Sequence, residues 1–213
     1  MKKRKYQNIA ADHLREYSSI YLFVVVLFLM GVIFGAVIVN SLSFTQKEDL
    51  FYYLSQFFGQ AASGEAAGAK DLFVQSFLHN SKLIGLIWLL GISIIGLPVI
   101  LVLLFIKGMT VGFTVGFLVN QMQWNGFLLS FVSILPQNLV IIPVYIIMAA
   151  MSLTFSLTMI RNQFIKRLNQ PVMPMFFRYC FSFLAAVAVV AAAAGVEAFI
   201  SPAFLKAVIH SMG

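Results

Sequence analysis

Between Lys107 and Arg161 the chain runs for 53 residues without a charged side chain. As one straight helix that stretch would be about 80 Å long, against a hydrocarbon core of about 30 Å. It must fold back on itself inside a membrane. The wider composition agrees: 61% of residues are hydrophobic and 10% charged, where a soluble domain carries about 25% charged residues. A large soluble core does not account for this, because the surface between its elements would carry charge. The expected class is all-α: a polytopic membrane protein of about five transmembrane helices. Residues 1–213 form a single membrane domain.

Leu22 to Val39 is apolar or glycine throughout, which predicts a first span over residues 20–42. That run exceeds the ~7–15 residues of a signal peptide's apolar region. Asn40-Ser41-Leu42-Ser43 offers no small-residue cleavage pattern, so a retained anchor is expected. Residues 45–82 read as an outward amphipathic loop. It opens on a helix that places Leu50, Phe51, Leu54, Phe57 and Phe58 on one face. A second span, 83–106, lies between Lys82 and Lys107, with Trp88 near one end and Pro98 as a kink. A third span, 108–123, ends in the polar turn Asn120 to Gly126. Phe127 to Leu135 is too short to cross and reads as a re-entrant or interfacial half-helix. A second polar break follows at Pro136, Gln137 and Asn138. Spans 139–160 and 179–196 complete the set, separated by the basic loop Arg161 to Arg178.

Charge sets the orientation. With the N-terminus in the cytoplasm, this arrangement puts ten basic residues and two acids inside, Lys107 among the ten. The outer side holds four basic residues and five acids. This is a positive-inside bias. It explains the net charge of +7 without a nucleic-acid partner.

Chemistry is sparse. His13, His79 and His210 lie outside the expected spans, and none has a second ligand at metal spacing. The in-span hydroxyls Ser130, Ser133 and Thr154 have no His or Lys beside them to activate them. No pair of carboxylates enters the hydrocarbon, which argues against proton-coupled transport. No glycine loop cradles a phosphate. No cofactor, metal or catalytic residue is therefore assigned. Cys180, the single cysteine, reads as a packing residue.

Three features point to contacts instead. Gly108, Gly112 and Gly116 form a stripe at spacing four, and Gly31 with Gly35 forms another. Such stripes let helix backbones approach closely in lipid, within the chain or between copies in a homo-oligomer. The face of Leu50, Phe51, Leu54, Phe57 and Phe58 either packs on the protein's own spans and membrane lipid, or docks an extracytoplasmic partner. Glu197, at the outer end of the last span, is either an interfacial acid or a partner-binding residue.

The run Asn8-Ile9-Ala10-Ala11-Asp12-His13-Leu14-Arg15-Glu16-Tyr17, followed by Phe28-Leu29-Met30-Gly31-Val32-Ile33-Phe34-Gly35-Ala36 and Val39-Asn40-Ser41-Leu42, resembles the stage II sporulation protein M family of endospore-forming bacteria. Glu197-Ala198-Phe199-Ile200-Ser201-Pro202 is similar to the Glu-x-x-x-x-Pro ending of the wider family. That wider family often carries Pro-His-Gly followed by an in-membrane Glu. Here the corresponding stretch is Pro136-Gln137-Asn138, with Ile141 in the acid's place. The resemblance implies a role in engulfment of the forespore. The chain would be a non-enzymatic scaffold holding an amidase/endopeptidase and a lytic transglycosylase at the septal membrane. A transport or channel subunit is the alternative reading of the residues, with the glycine stripe and Gln137-Asn138 lining a path.

Overall fold

The computed structural model describes the backbone of residues 17–63, 69–133, 135–164 and 172–212. It describes the side chains of residues 17–56, 70–124, 138–161, 173–196 and 198. Every element among them is a helix: α1 (Ser18–Ser41), α2 (Phe44–Ser63), α3 (Ala69–Gly91), α4 (Gly96–Ser133), α5 (Leu135–Phe164) and α6 (Val172–Met212). Four carry segments long and apolar enough to cross a membrane: Ser18–Ser41, Gly96–Trp124, Asn138–Arg161 and Met173–Val196. Continuous apolar runs force this outcome, since a backbone in lipid must satisfy its own hydrogen bonds.

Local chemistry sets the helix ends. Ser43 and Gln46 form a reciprocal capping box. The Ser43 N–H donates to Gln46 Oε1 at 3.0 Å, and the Gln46 N–H donates to Ser43 Oγ at 3.4 Å. This restarts the chain as α2 directly after α1. Pro136 and Pro174 fall in the first turns of α5 and α6, where a missing N–H costs nothing.

Two expected boundaries are corrected. The run over 83–106 is not one span: α3 ends at Gly91, the chain reverses through Ile92–Ile95, and α4 begins at Gly96. The turn is closed by Ser93 N–H to the Leu90 carbonyl at 3.0 Å and Gly96 N–H to the Ser93 carbonyl at 3.1 Å. A side chain at 96 would run into the Leu90 backbone, so the reversal requires glycine. Pro98 therefore opens α4 instead of kinking a span. The helix then runs without a break through Lys107, so no loop separates 83–106 from 108–123. The polar stretch expected as outer loop down to Lys82 is the first half of α3.

The expected turn at 120–126 is a kink. Gln123 adopts φ 49° and ψ −123°, a backbone that non-glycine residues rarely take. Helix resumes and continues to Ser133. Whether this piece re-enters the membrane or lies at its interface falls outside the described side chains, as do Pro136 and Gln137.

Pairings fix the directions. Gly108 lies against Phe28, Gly112 against Val32 and Gly116 against Ala36, while Asn120 reaches Asn40. The offset is constant at 80 residues, so α1 and α4 run parallel. Asn80 meets Tyr145, and Gly91 meets Ser152, so α3 and α5 are parallel to each other. Ser152 meets Tyr179 and Phe155 meets Phe176, so α6 is antiparallel to α5. The short turn makes α3 antiparallel to α4. Thus α1, α4 and α6 run from a near face, where α1 starts, to a far face, and α3 and α5 return. Helix α5 is the central one: 61% of its membrane-length window is buried, against 22–28% in the others.

Candidate functional site

The first contact region is the α1–α4 seam. Added Cβ atoms at Gly31 and Gly35 would strike the carbonyls of Phe105 and Met109, and at Gly108 and Gly112 those of Phe28 and Val32. An added Cβ at Gly116 would lie 3.0 Å from the Ala36 Cα. Both glycine stripes singled out from spacing are therefore in one seam within the chain, facing each other. Asn120 Nδ2 donates to Asn40 Oδ1 at 3.4 Å across the end of the seam.

The second region joins α3, α5 and α6 near the near face. Tyr179 Oη donates to the Trp88 carbonyl at 2.7 Å and accepts from Ser152 Oγ at 2.7 Å. Its ring stacks on Phe155 with centroids 4.8 Å apart and on Trp88 at 5.9 Å. Trp88 also stacks on Phe183 at 4.9 Å. Trp88, expected near one end of a span, is packed between helices, and its Nε1 is buried without a hydrogen-bond partner. Ser156 Oγ reaches the Ser93 carbonyl at 3.3 Å and ties α5 to the α3–α4 turn.

The third region lies deeper. Lys107 is 11 residues after Gly96 and 17 before Trp124, about 16 Å and 25 Å along the helix. It is half-buried, and its Nζ lies 5.2 Å from the centroid of the Tyr145 ring. Lys107, expected between two spans, thus lies within one membrane-length segment. A lysine at the centre of a membrane costs about 2.5–3.5 kcal/mol on insertion scales. A desolvated cation–π contact returns about 2 kcal/mol of that. Tyr145 is fully buried and donates from Oη to Asn80 Oδ1 at 2.9 Å. Asn80, 2% exposed, donates from Nδ2 to the Ser76 carbonyl at 2.9 Å. Ser76 Oγ lies 3.5 Å from the same nitrogen. Three helices thus contribute one line of polar groups inside the bundle.

Asn80 and Ser76 escaped sequence reasoning because the polarity of 69–82 read as loop. The buried stripe Ser76, Asn80, Ile84, Ile87, Gly91 was nonetheless present at helical spacing.

Helix α2 stands apart, with α6 as its principal neighbour. Leu50 and Phe51 are 37% and 38% exposed, Tyr52 and Tyr53 two-thirds exposed, and Leu54 half-buried. The side chains of Phe57, Phe58 and Glu197 lie outside the described set. Asn138 is half-buried in the first turn of α5. Among the described residues no group of three or more His, Cys, Asp or Glu could hold a metal. His79 is exposed, and Cys180 is a free, half-buried thiol.

These features define a multi-span helical membrane protein, held by a glycine seam and by polar groups buried between helices. The profile described as stage II sporulation protein M matches residues 24–202, and the chain belongs to that family. It is a sporulation-related membrane protein. No curated protein and no solved structure matches it.

Proposed function

We propose that this chain is a non-enzymatic scaffold that recruits peptidoglycan-degrading partners, a cell-wall amidase/endopeptidase and a lytic transglycosylase, to the septal membrane during engulfment. The observation that carries the reading is α2. It is a 20-residue helix outside the four apolar segments, bearing exposed Leu50, Phe51, Tyr52 and Tyr53. It is tied closely to the end of α1 by its capping box. Such a face is suited to a helix-sized partner contact. Family membership supports the sporulation setting.

The orientation is part of the proposal. Because α1 and α4 both cross and run parallel, the chain must return between them. Helix α3, 23 residues long and packed on α5 and α6, is the segment that returns. That makes five crossings: α1, α3, the first part of α4, α5 and α6. With Lys107 counted inside the bundle, the near face still gathers nine basic residues against two acids. The near face is then cytoplasmic, and α2 and the end of α6 are outside. In a Cys180→Ser background, an impermeant thiol reagent should label Ser55→Cys in intact protoplasts. It should label Ile95→Cys, at the exposed turn, only after lysis, and Lys107→Cys not at all. Labelling of Ile95→Cys in intact protoplasts would reverse the orientation.

A transport or channel subunit is the second reading, favoured by Lys107 within the spans, since intramembrane charges often mark ion paths. Purification from sporulating cells separates the two. A scaffold brings down cell-wall hydrolases and leaves reconstituted vesicles tight to small solutes. A transporter makes vesicles permeable and brings down no hydrolase.

A further inference from the structure

Helix α2 has two unlike sides. Of its described side chains, 44–56, Lys47 and Leu54 are half-buried and the others are exposed. These two lie seven residues apart, about two turns, and mark the side turned to the bundle. Leu50 and Phe51 flank that side by helical phase. The opposite side carries Thr45, Asp49, Tyr52 and Gln56, spaced by four, three and four residues, with Glu48 and Tyr53 beside them.

The outward side has a chemistry of its own. Tyr52 and Tyr53 are 66% and 67% exposed, and their rings meet edge to face with centroids 5.9 Å apart. Glu48 precedes Tyr52 by four residues and Asp49 precedes Tyr53 by four. At that spacing each carboxylate shares a side of the helix with one ring. Lys47 is the one basic residue of α2, and it is on the bundle side. The outward side therefore carries two negative charges and no positive one.

A tyrosine face and a carboxylate both attract a cation, the ring through its quadrupole and the acid through its charge. Two such pairings, side by side, match a surface that presents cationic side chains. Lipid does not suit this side, because hydrocarbon excludes carboxylates. A protein does, since tyrosine anchors interfaces by burying a large area at little cost in rotamer freedom.

We propose, on the scaffold reading above, that the outward side of α2 receives a basic protein surface, with Lys or Arg side chains of the recruited partner held between the Glu48 and Asp49 carboxylates and the Tyr52 and Tyr53 rings. Leu50 and Phe51 form the apolar edge of the same contact. The acid–tyrosine side sets the choice of partner and makes the contact sensitive to salt.

Purification of the full chain from sporulating cells, with the cell-wall hydrolases that accompany it quantified across a salt series, tests this. The parent chain should lose its hydrolases progressively as ionic strength rises. Glu48→Gln/Asp49→Asn, near in size to the original, should recover several-fold less at physiological salt and respond little to further salt. Glu48→Lys/Asp49→Lys should recover none. Tyr52→Ala/Tyr53→Ala should recover about tenfold less, as for truncated interface anchors. All of these chains should reach parental abundance, because the altered side chains are exposed. In protoplasts of cells that lack both hydrolases, an impermeant thiol reagent should label Tyr52→Cys in a Cys180→Ser background. A parent chain that brings down no hydrolase would sink the scaffold reading itself. Hydrolases recovered equally with the parent, the Gln/Asn chain and the Lys chain would overturn the basic-surface proposal and leave the scaffold reading standing. Lowered abundance of the Gln/Asn chain, or no labelling of Tyr52→Cys, would show that lipid or the chain itself covers this side, and would overturn the proposal as well.

Discussion

The α1–α4 seam and the α3–α5–α6 cluster hold helices together by opposite means. The seam removes side chains: Gly31, Gly35, Gly108 and Gly112 let two parallel backbones touch over about two turns. The cluster adds them, filling the space with Tyr179, Trp88, Phe155 and Phe183 and hydrogen-bonding the polar tips back to the helices. Lipid tails are as apolar as leucine, so greasy surface alone gives helices no reason to associate. Both solutions answer that constraint. A close-packed seam gains dispersion contacts and has no tolerance for volume. A polar cluster gains directional bonds and tolerates partial loss, because its central Tyr179 hydroxyl has two partners.

That contrast predicts an order of effects. The largest belongs to the seam. Gly112→Leu should cost about 3 kcal/mol or more, because a leucine must displace the Val32 backbone. Thermal unfolding in detergent should show it, with a matching fall in cellular abundance. Ala188→Leu, on an exposed face of α6, should stay close to the parent. Equal, mild effects would mean that the seam is not a close contact.

The next effect belongs to the cluster. Tyr179→Phe keeps the ring stack and removes the hydroxyl from Ser152 and the Trp88 carbonyl. A loss of about 1–2 kcal/mol is expected, near the upper end for hydrogen bonds in membranes. Unchanged unfolding would show that ring stacking alone holds α6. The smallest effect is Asn120→Ala, which removes an exposed 3.4 Å contact at the end of the seam. It should cost about 0.5 kcal/mol. A loss as large as that of Gly112→Leu would shift the basis of the seam from packing to polarity.

The two regions also differ in how far they can be read from sequence. The seam was visible because it is local: glycines four apart share one helix face wherever the helix lies. What spacing did not reveal was the partner, since the match of 108–120 to 28–40 is a property of the fold. The cluster is assembled from Trp88, Ser152 and Tyr179, which share no local pattern. The Ile92–Ile95 turn was missed for a related reason. Its residues are mostly apolar, and the reversal depends on Gly96 and on backbone hydrogen bonds that leave no polar signature. Lys107 and the stretch 69–82 were misread because charge and polarity normally mark loops. Here Tyr145 covers Lys107 and bonds Asn80, and Ser76 and Asn80 are buried. The full apolar runs of α1, α5 and α6 needed no such help, and each carries a segment long and apolar enough to cross a membrane.

Helix α2 belongs to neither region. Leu50 and Phe51 are 37% and 38% exposed on a helix whose principal neighbour is α6. Replacing both with Asp should therefore leave the bundle folded, while each buried large apolar side chain at a partner contact contributes about 1.5–3 kcal/mol. The most direct measurement is the position of fluorescently tagged cell-wall hydrolases in sporulating cells that carry the Leu50→Asp/Phe51→Asp chain. The scaffold account predicts that this chain reaches the septal membrane at parental abundance while the hydrolases disperse from the septum. Hydrolases that stay at the septum, with the variant chain present at normal level, would contradict α2 as the recruiting surface.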